Sequence, residues 1–436
     1  MQIIERVLLA RNLTKACNHV VSNKGAAGVD AMPVKALKTY LKINREKLSE
    51  QIRKGEYHPQ AIRGKEIAKS NGKMRLLGIP TCVDRLLQQA VSRVIMTQYE
   101  YMFSHYSFGF RPDRNAHQAI NKSLEYINAG YQDIVDIDLK AFFDEVDHCL
   151  LLQLLYRKIK CKQTLLLIRR WLRVPILKDG KLVKRRKGVP QGSPISPLLS
   201  NIILHELDTE MERRGLRFVR YADDFSIYCT SKEEARKTGN SIFLFLRDTL
   251  KLPINREKSG IRRPTTFKIL GYKFVPTYVK GEKGKYQLIV DSKRFETLKE
   301  KLKEITRKTA PWSFDYRMTK LKEVHRGWIN YFKLGSIYSK LKELDGWLRN
   351  RIRKCIWHDW KKPERKRKNL IRLGVEPSMA YQWSISRKGS WAIAQSPIMN
   401  TTVTLKRLEK RGYEAMLTHY LKVSPHYQTL PLFPTV

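Results

Sequence analysis

Tyr221-Ala222-Asp223-Asp224 places two adjacent carboxylates between two runs of strand-forming residues, Phe218-Val219-Arg220-Tyr221 before them and Phe225-Ser226-Ile227-Tyr228-Cys229 after them. A β-hairpin tipped with acid is the simplest reading. Adjacent like charges repel and offer folding nothing, whereas a divalent cation held through hard oxygen ligands offsets the repulsion. Taken alone, the four residues fit an ordinary solvated turn equally well, because Asp is a common turn residue. Chemistry at a triphosphate needs a further carboxylate from a separate strand, so that two ions can clamp the attacking hydroxyl and the phosphates for in-line displacement. Asp133-Ile134-Val135-Asp136-Ile137-Asp138-Leu139 supplies one: alternation puts Asp136 and Asp138 on one face of a strand, with Val135, Ile137 and Leu139 on the other. Periodicity does not choose between the two acids. Position at the strand's end favours Asp138, just before Lys140-Ala141-Phe142-Phe143-Asp144, where backbone groups become available to a nucleotide.

The elements that must hold these acids follow from pattern. Residues 1–60 read as short helices around a Gly-rich loop, Ser22 to Asp30, with Ile4, Val7 and Leu8 on a packed face. Residues 61–290 alternate strands with helices, as an α/β or α+β catalytic domain does. Residues 291–360 carry three amphipathic helices, with Phe295, Leu298, Leu302 and Ile305 on the first, Leu321, Val324, Trp328 and Tyr331 on the second, and Leu344, Leu348, Ile352 and Ile356 on the third. Residues 361–436 form a basic C-terminal region with a helix expected around Lys406 to Leu421.

The chain has 436 residues, enough for a large core, and 85 Lys plus Arg against 41 Asp plus Glu give a net charge of +44. Such an excess repels itself unless a polyanion neutralises it, so nucleic acid is the expected partner. The sequence has no apolar run of about 18 residues, so no membrane is expected. A soluble, cytoplasmic bacterial protein fits. Six scattered cysteines form no C-x-x-C pair, and His148-Cys149 has no second half with zinc spacing, so buried reduced thiols and no zinc-bearing nuclease module are expected. Basic residues crowd the stretch Arg349, Arg351, Arg353, Lys354, Lys361, Lys362, Arg365, Lys366, Arg367 and Lys368, opposed only by Asp359 and Glu364. With Trp357 and Trp360 interleaved, it suits phosphate gripping and base stacking; the alternative is a solvated face beside core tryptophans.

Asp138-Leu139-Lys140-Ala141-Phe142-Phe143-Asp144, Gly188-Val189-Pro190-Gln191-Gly192-Ser193-Pro194 and Tyr221-Ala222-Asp223-Asp224 occur in the order and approximate spacing of reverse transcriptases, and resemble those encoded by bacterial group II introns. Gly78-Ile79-Pro80-Thr81 with Asp84-Arg85, Ser107-Phe108-Gly109-Phe110-Arg111-Pro112, Leu270-Gly271-Tyr272-Lys273-Phe274 and Gly327-Trp328-Ile329-Asn330-Tyr331-Phe332 extend the resemblance through the polymerase region into the thumb, or maturase region. The resemblance implies a right-hand α+β polymerase with a helical N-terminal extension, fingers and palm, a three-helix thumb and a DNA-binding C-terminal region. It implies Asp138, Asp223 and Asp224 as ligands, with the backbone of Leu139, for two Mg²⁺, for which Mn²⁺ can substitute. Lys69 and Arg75 match finger positions on the incoming triphosphate, although Ala68 stands where many relatives have proline. Phe143 resembles the aromatic gate beneath the sugar, with Phe142 in the core. Gln191 lies beside nucleotide and template, Lys258 near the leaving pyrophosphate, and Leu270 and Gly271 in the primer grip.

The implied activity is RNA-templated DNA synthesis from dNTPs on a DNA primer, joined to binding and splicing of the host intron RNA and to retrohoming by target-primed reverse transcription. Members without a C-terminal endonuclease resemble the group IIC class. Two rival readings are a non-catalytic RNA-binding splicing factor and a domesticated or defence-associated reverse transcriptase outside an intron. The intact acids weigh against the first, since a retired site is free to lose charges that repel.

Overall fold

The computed structural model describes residues 2–68, 72, 74–278 and 283–428. The chain divides into two compact units, Met1–Arg263 and Pro264–Val436. In chain order the described strands of the first unit are β1 (Ile62–Ala68), β2 (Met74–Ile79), β3 (Asp133–Ile137), β4 (Ile176–Lys178), β5 (Lys181–Val183), β6 (Arg217–Tyr221), β7 (Asp224–Cys229) and β8 (Gly260–Arg262). They form two sheets, ordered β2-β1-β4-β5 and β6-β7-β3-β8.

The second sheet positions the acids. Ile134, Val135, Ile137, Phe225 and Ile227 are buried, so β3 and β7 are fixed by apolar contact as well as by their antiparallel ladder. Asp136 stands opposite Ser226 and Ile137 opposite Phe225. Tyr221 pairs with Asp224, which leaves Ala222 and Asp223 as a two-residue hairpin loop. The helix Lys232–Asp248 packs on β3, β7 and β8, and Ala116–Asn128 packs on β6.

The N-terminal helices Ile3–Leu8, Ala10–Ser22 and Leu37–Lys54 share one continuous core with the sheet: Ile4, Val7 and Leu13 join the same apolar cluster as Leu139 and Phe142. Polar ties reinforce this. Asn12 Nδ2 donates to the Ala90 carbonyl at 3.1 Å, and Arg85 Nη2 reaches the Ala26 carbonyl in the Gly-rich loop at 2.7 Å.

In the second unit β9 (Lys268–Ile269), β10 (Tyr272–Pro276) and β11 (Tyr286–Val290) make a sheet ordered β11-β10-β9. The helices Ser292–Ile305, Phe314–Phe332 and Tyr338–Asp359 follow, as their apolar spacing predicts. The division after Arg263 precedes the composition change near residue 290 because hydrogen bonds attach these strands to the helical part. Tyr272 Oη donates to the Tyr331 carbonyl at 2.6 Å, and Ser336 N donates to Leu288 O at 2.9 Å. The basic C-terminal region belongs to this unit too. Buried Asp345 accepts from Met416 N and Leu417 N at 2.9 Å each, capping the helix Met416–Val423.

Among the described residues no helix is long and apolar enough to cross a membrane. All six cysteines are free thiols; five are buried, and Cys149 is exposed against expectation. Its neighbour His148 takes the inward position instead, with Nε2 2.7 Å from the Gly188 carbonyl oxygen.

Candidate active site

The acidic turn is tightly supported. Ala222 has φ +58, the left-handed conformation demanded at the first central position of a two-residue hairpin loop and unfavourable by roughly 1–2 kcal/mol for a residue with a Cβ. Gly109 lies against it: a Cβ there would meet Ala222 N at 2.3 Å, so the Ser107-Phe108-Gly109 segment packs directly on the turn. Arg220, fully buried, donates from Nη1 to the Ala222 carbonyl at 2.9 Å.

The two acids that periodicity left open are separated by their partners. Asp136 accepts from Arg262 Nε at 2.7 Å and is neutralised on the sheet. Asp138 lies just past the end of β3, half-buried, where its backbone N donates to Ser259 Oγ at 3.0 Å and its carbonyl accepts from Asn255 N at 2.8 Å. Leu139 bridges to Ile254, so residues 138–140 run beside 253–255 and bring Lys258 within 3.4 Å of the Asp138 carboxylate.

A cavity of about 800 Å³ opens here, and its wall includes Asp138, Leu139, Asp223, Phe143, Gln191, Arg75 and Lys258. Phe142 is buried, whereas Phe143 is half-buried; their rings meet edge to face at 5.3 Å. Exposed Arg75 donates from Nε to Gln191 Oε1. Gln191 is held through its backbone, whose carbonyl accepts from Gly78 N at 2.7 Å. The next residue must be Gly: Gly192 has φ +109, and a Cβ would meet Gly78 O at 2.5 Å. Lys69 lies outside the described residues.

Asp224 is exposed and off the cavity wall, yet its carboxyl is pushed up to about 6, first by desolvation among protein atoms and then by Asp223, Asp138 and Asp136, with Lys258 opposing. Asp223 is raised too, first by desolvation; Asp138 adds to the rise and Arg75 opposes it. These like charges and hard oxygens fit a divalent cation. Among the described residues no group of three His, Cys, Asp or Glu side chains is gathered to hold an ion alone.

The remaining expected residues lie in the second unit. Leu270 and Gly271 form the two-residue loop between β9 and β10, both with positive φ, and Tyr331 Oη donates to the Leu270 carbonyl at 3.0 Å. The basic stretch divides. Arg353 is buried, donating to Val403 O at 3.1 Å and to Asn400, and Arg351 donates to Thr306 Oγ1 at 2.6 Å, so both are committed to the fold and leave the phosphate-gripping set. Arg349 and Lys354 are half-buried on the same helix. Trp357 is a core residue, not a stacking platform, with Lys366 Nζ 4.7 Å from its ring centroid. Lys361, Lys362, Arg365 and Lys368 are exposed, while Lys366 and Arg367 are half-buried. Sequence reasoning missed Ser259, Asn201 and Arg220. Only the charge of Arg220 inside an apolar strand signals anything in one dimension.

Residues 67–274 match the family described as reverse transcriptase (RNA-dependent DNA polymerase), and residues 295–374 match the group II intron maturase-specific domain. The chain is similar to the group II intron-encoded protein LtrA of Lactococcus lactis subsp. cremoris, 31% identical over 325 residues covering 59% of this chain and 54% of LtrA. It is also similar to protein YkfC of Escherichia coli (strain K12), 30% identical over 304 residues covering 60% of this chain and 80% of YkfC. The chain thus spans about half the length of LtrA.

Proposed function

The chain belongs to the group II intron-encoded reverse transcriptases, and from that premise we propose that it copies RNA into DNA and acts as a maturase on intron RNA. The observation that supports this best is the single cavity shared by Asp138, Asp223, Phe143, Gln191 and Arg75. It assembles acids for metal, a cation for phosphate, an aromatic wall and a polar backbone turn at one place.

Two Mg²⁺ ions, when bound, supply the charge that makes the primer 3′-hydroxyl a nucleophile and stabilises the displaced pyrophosphate. Asp138 and Asp223, with the Leu139 carbonyl and Asp224 beside them, are the groups that would hold them. Arg75 forks onto phosphate oxygens of the dNTP, giving up its bond to Gln191 as it does so. Phe143 lies beneath the sugar and excludes a 2′-hydroxyl by volume. Lys258, exposed and flexible beside Asp138, is placed to neutralise the leaving pyrophosphate and lend it a proton.

In this reading residues 61–290 act as fingers and palm, 291–360 as thumb and maturase helices, and 361–436 as the DNA-binding region, with Leu270 and Gly271 gripping the primer. The partners are intron RNA, an RNA template, a DNA primer or target, and dNTPs. The test is Asp223→Asn in primer extension on an RNA template: extension should fall by about 100- to 1,000-fold, as for loss of a principal charge-stabilising group, while RNA affinity stays nearly unchanged. Equal extension by variant and wild type would remove the catalytic assignment. A wild type that splices its intron but extends no primer would leave the splicing-factor reading standing.

A further inference from the structure

We infer that Arg220, one residue ahead of the acidic turn, is a positioning residue that fixes the orientation of the Ala222 peptide and thereby the direction of Asp223 and Asp224. This inference rests on the proposed polymerase function for its kinetic consequence, though not for its structural one.

Arg220 points away from the cavity into the fold and is fully buried, as is Asp208, its partner on the helix Ser196–Arg213. Nε donates to Asp208 Oδ1 at 2.7 Å and Nη2 to Asp208 Oδ2 at 2.5 Å, a two-pronged fit that only a guanidinium makes. Nη1 then donates twice: to Asn201 Oδ1 at 3.0 Å and to the Ala222 carbonyl at 2.9 Å. Asn201 passes the restraint on, with Nδ2 donating to the Gly109 carbonyl at 2.9 Å. Gly109 is the residue whose missing Cβ lets that segment touch Ala222 N. The backbone of Arg220 closes the loop, since its N donates to Tyr106 O and its carbonyl accepts from Phe108 N, each at 2.9 Å.

The strained turn is therefore gripped on both sides of one residue. The Ala222 carbonyl is held by Arg220, and the Ala222 amide, in the preceding peptide, is walled by Gly109. Without that grip the left-handed Ala222 has an easier conformation to fall into, and the two carboxylates that follow it turn with the peptide. A fully buried ion pair contributes little net stability compared with apolar packing, so a purely structural purpose explains the pair poorly, whereas precise aim explains it well.

The test uses the full-length protein as Arg220→Lys, which keeps the charge and loses the fork, and as Asn201→Ala, which leaves the Arg220–Asp208 pair intact and cuts the link to Gly109. Amide hydrogen exchange is followed over residues 218–226 in the metal-free protein, beside single-nucleotide extension at saturating dNTP. Expected are faster exchange confined to that peptide in both variants, kcat lower by about 100-fold for Arg220→Lys from a misplacement on the order of 1 Å, a smaller fall for Asn201→Ala, and unchanged KM for dNTP and Kd for primer–template. Unchanged exchange at the turn in folded protein overturns the inference. So does a kcat loss matched by the loss of folded molecules. If wild type extends no primer at all, the polymerase reading fails while the exchange measurement still decides the clamp.

Discussion

Asp224 shows how a residue's surroundings become a measurable property. Desolvation and three neighbouring acids disfavour the charge and push its carboxyl up to about 6. A carboxyl whose folded value lies above its unfolded one contributes stability that is complete below the unfolded value, near 4, and lost as the pH rises through about 6. Metal-free Asp224→Asn should therefore melt above wild type at pH 7.5 and level with it at pH 4. Mg²⁺ should raise the wild-type melting temperature more at pH 7.5 than at pH 5, and the variant's less; scanning calorimetry checks each of these, and pH-independent differences would contradict them. Phe143 gives a second residue-scale prediction. Because Phe142 is in the core and Phe143 is half-buried on the cavity wall, Phe143→Ala should admit ribonucleotides, narrowing dNTP over rNTP discrimination by about 100-fold if about 3 kcal/mol of steric exclusion is lost. Unchanged rNTP incorporation in single-nucleotide extension would remove the gate from this ring. The two phenylalanines are adjacent and identical in sequence, so only their burial separates them.

At the scale of elements, the site is made by close approaches between segments far apart in the chain. The Gln191 loop sits on β2 because Gly192 carries no side chain there and Gly78 N donates to the Gln191 carbonyl. Gly192→Ala must relieve both a φ of +109 and a Cβ 2.5 Å from Gly78 O. A cost of about 3 kcal/mol is expected from backbone strain and overpacking together. Because the same shift displaces Gln191 from the cavity wall, KM for dNTP should rise along with the fall in melting temperature. A variant with lowered stability and unchanged KM would separate the loop from nucleotide binding. Sequence motifs marked both segments, but not that they touch. The same holds for Asp138, which alternation could not distinguish from Asp136: the choice rests on Arg262 arriving from β8 to neutralise Asp136, and on Ser259 and Asn255 fixing the backbone of Asp138.

At the scale of the whole molecule, the net charge of +44 makes nucleic-acid affinity a matter of counterion release. The exposed cations Lys361, Lys362, Arg365 and Lys368 surround the start of the helix Pro363–Arg372, whereas Arg351 and Arg353 are spent inside the fold. Replacing those four by Gln should lower the slope of log affinity against log salt by about 3, at roughly 0.7–0.9 per lost phosphate contact. An unchanged slope in filter binding would place the main surface elsewhere. Truncation from residue 350 is no substitute, since it cuts the helix Tyr338–Asp359 and removes the Met416–Val423 helix that Asp345 caps. The sequence by itself carried the motifs behind the proposed chemistry: acids, aromatic and glutamine turn are contiguous, and the periodicities of β3, of the hairpin and of the maturase helices are local properties of the chain. Tertiary structure alone decided which acid lines the cavity and which phenylalanine is buried. It also decided which arginines face inward, that β9–β11 go with the helices, and that Arg220 grips the turn. Each of those depends on what lies across a gap in space, and a buried guanidinium and an exposed one are spelled with the same letter.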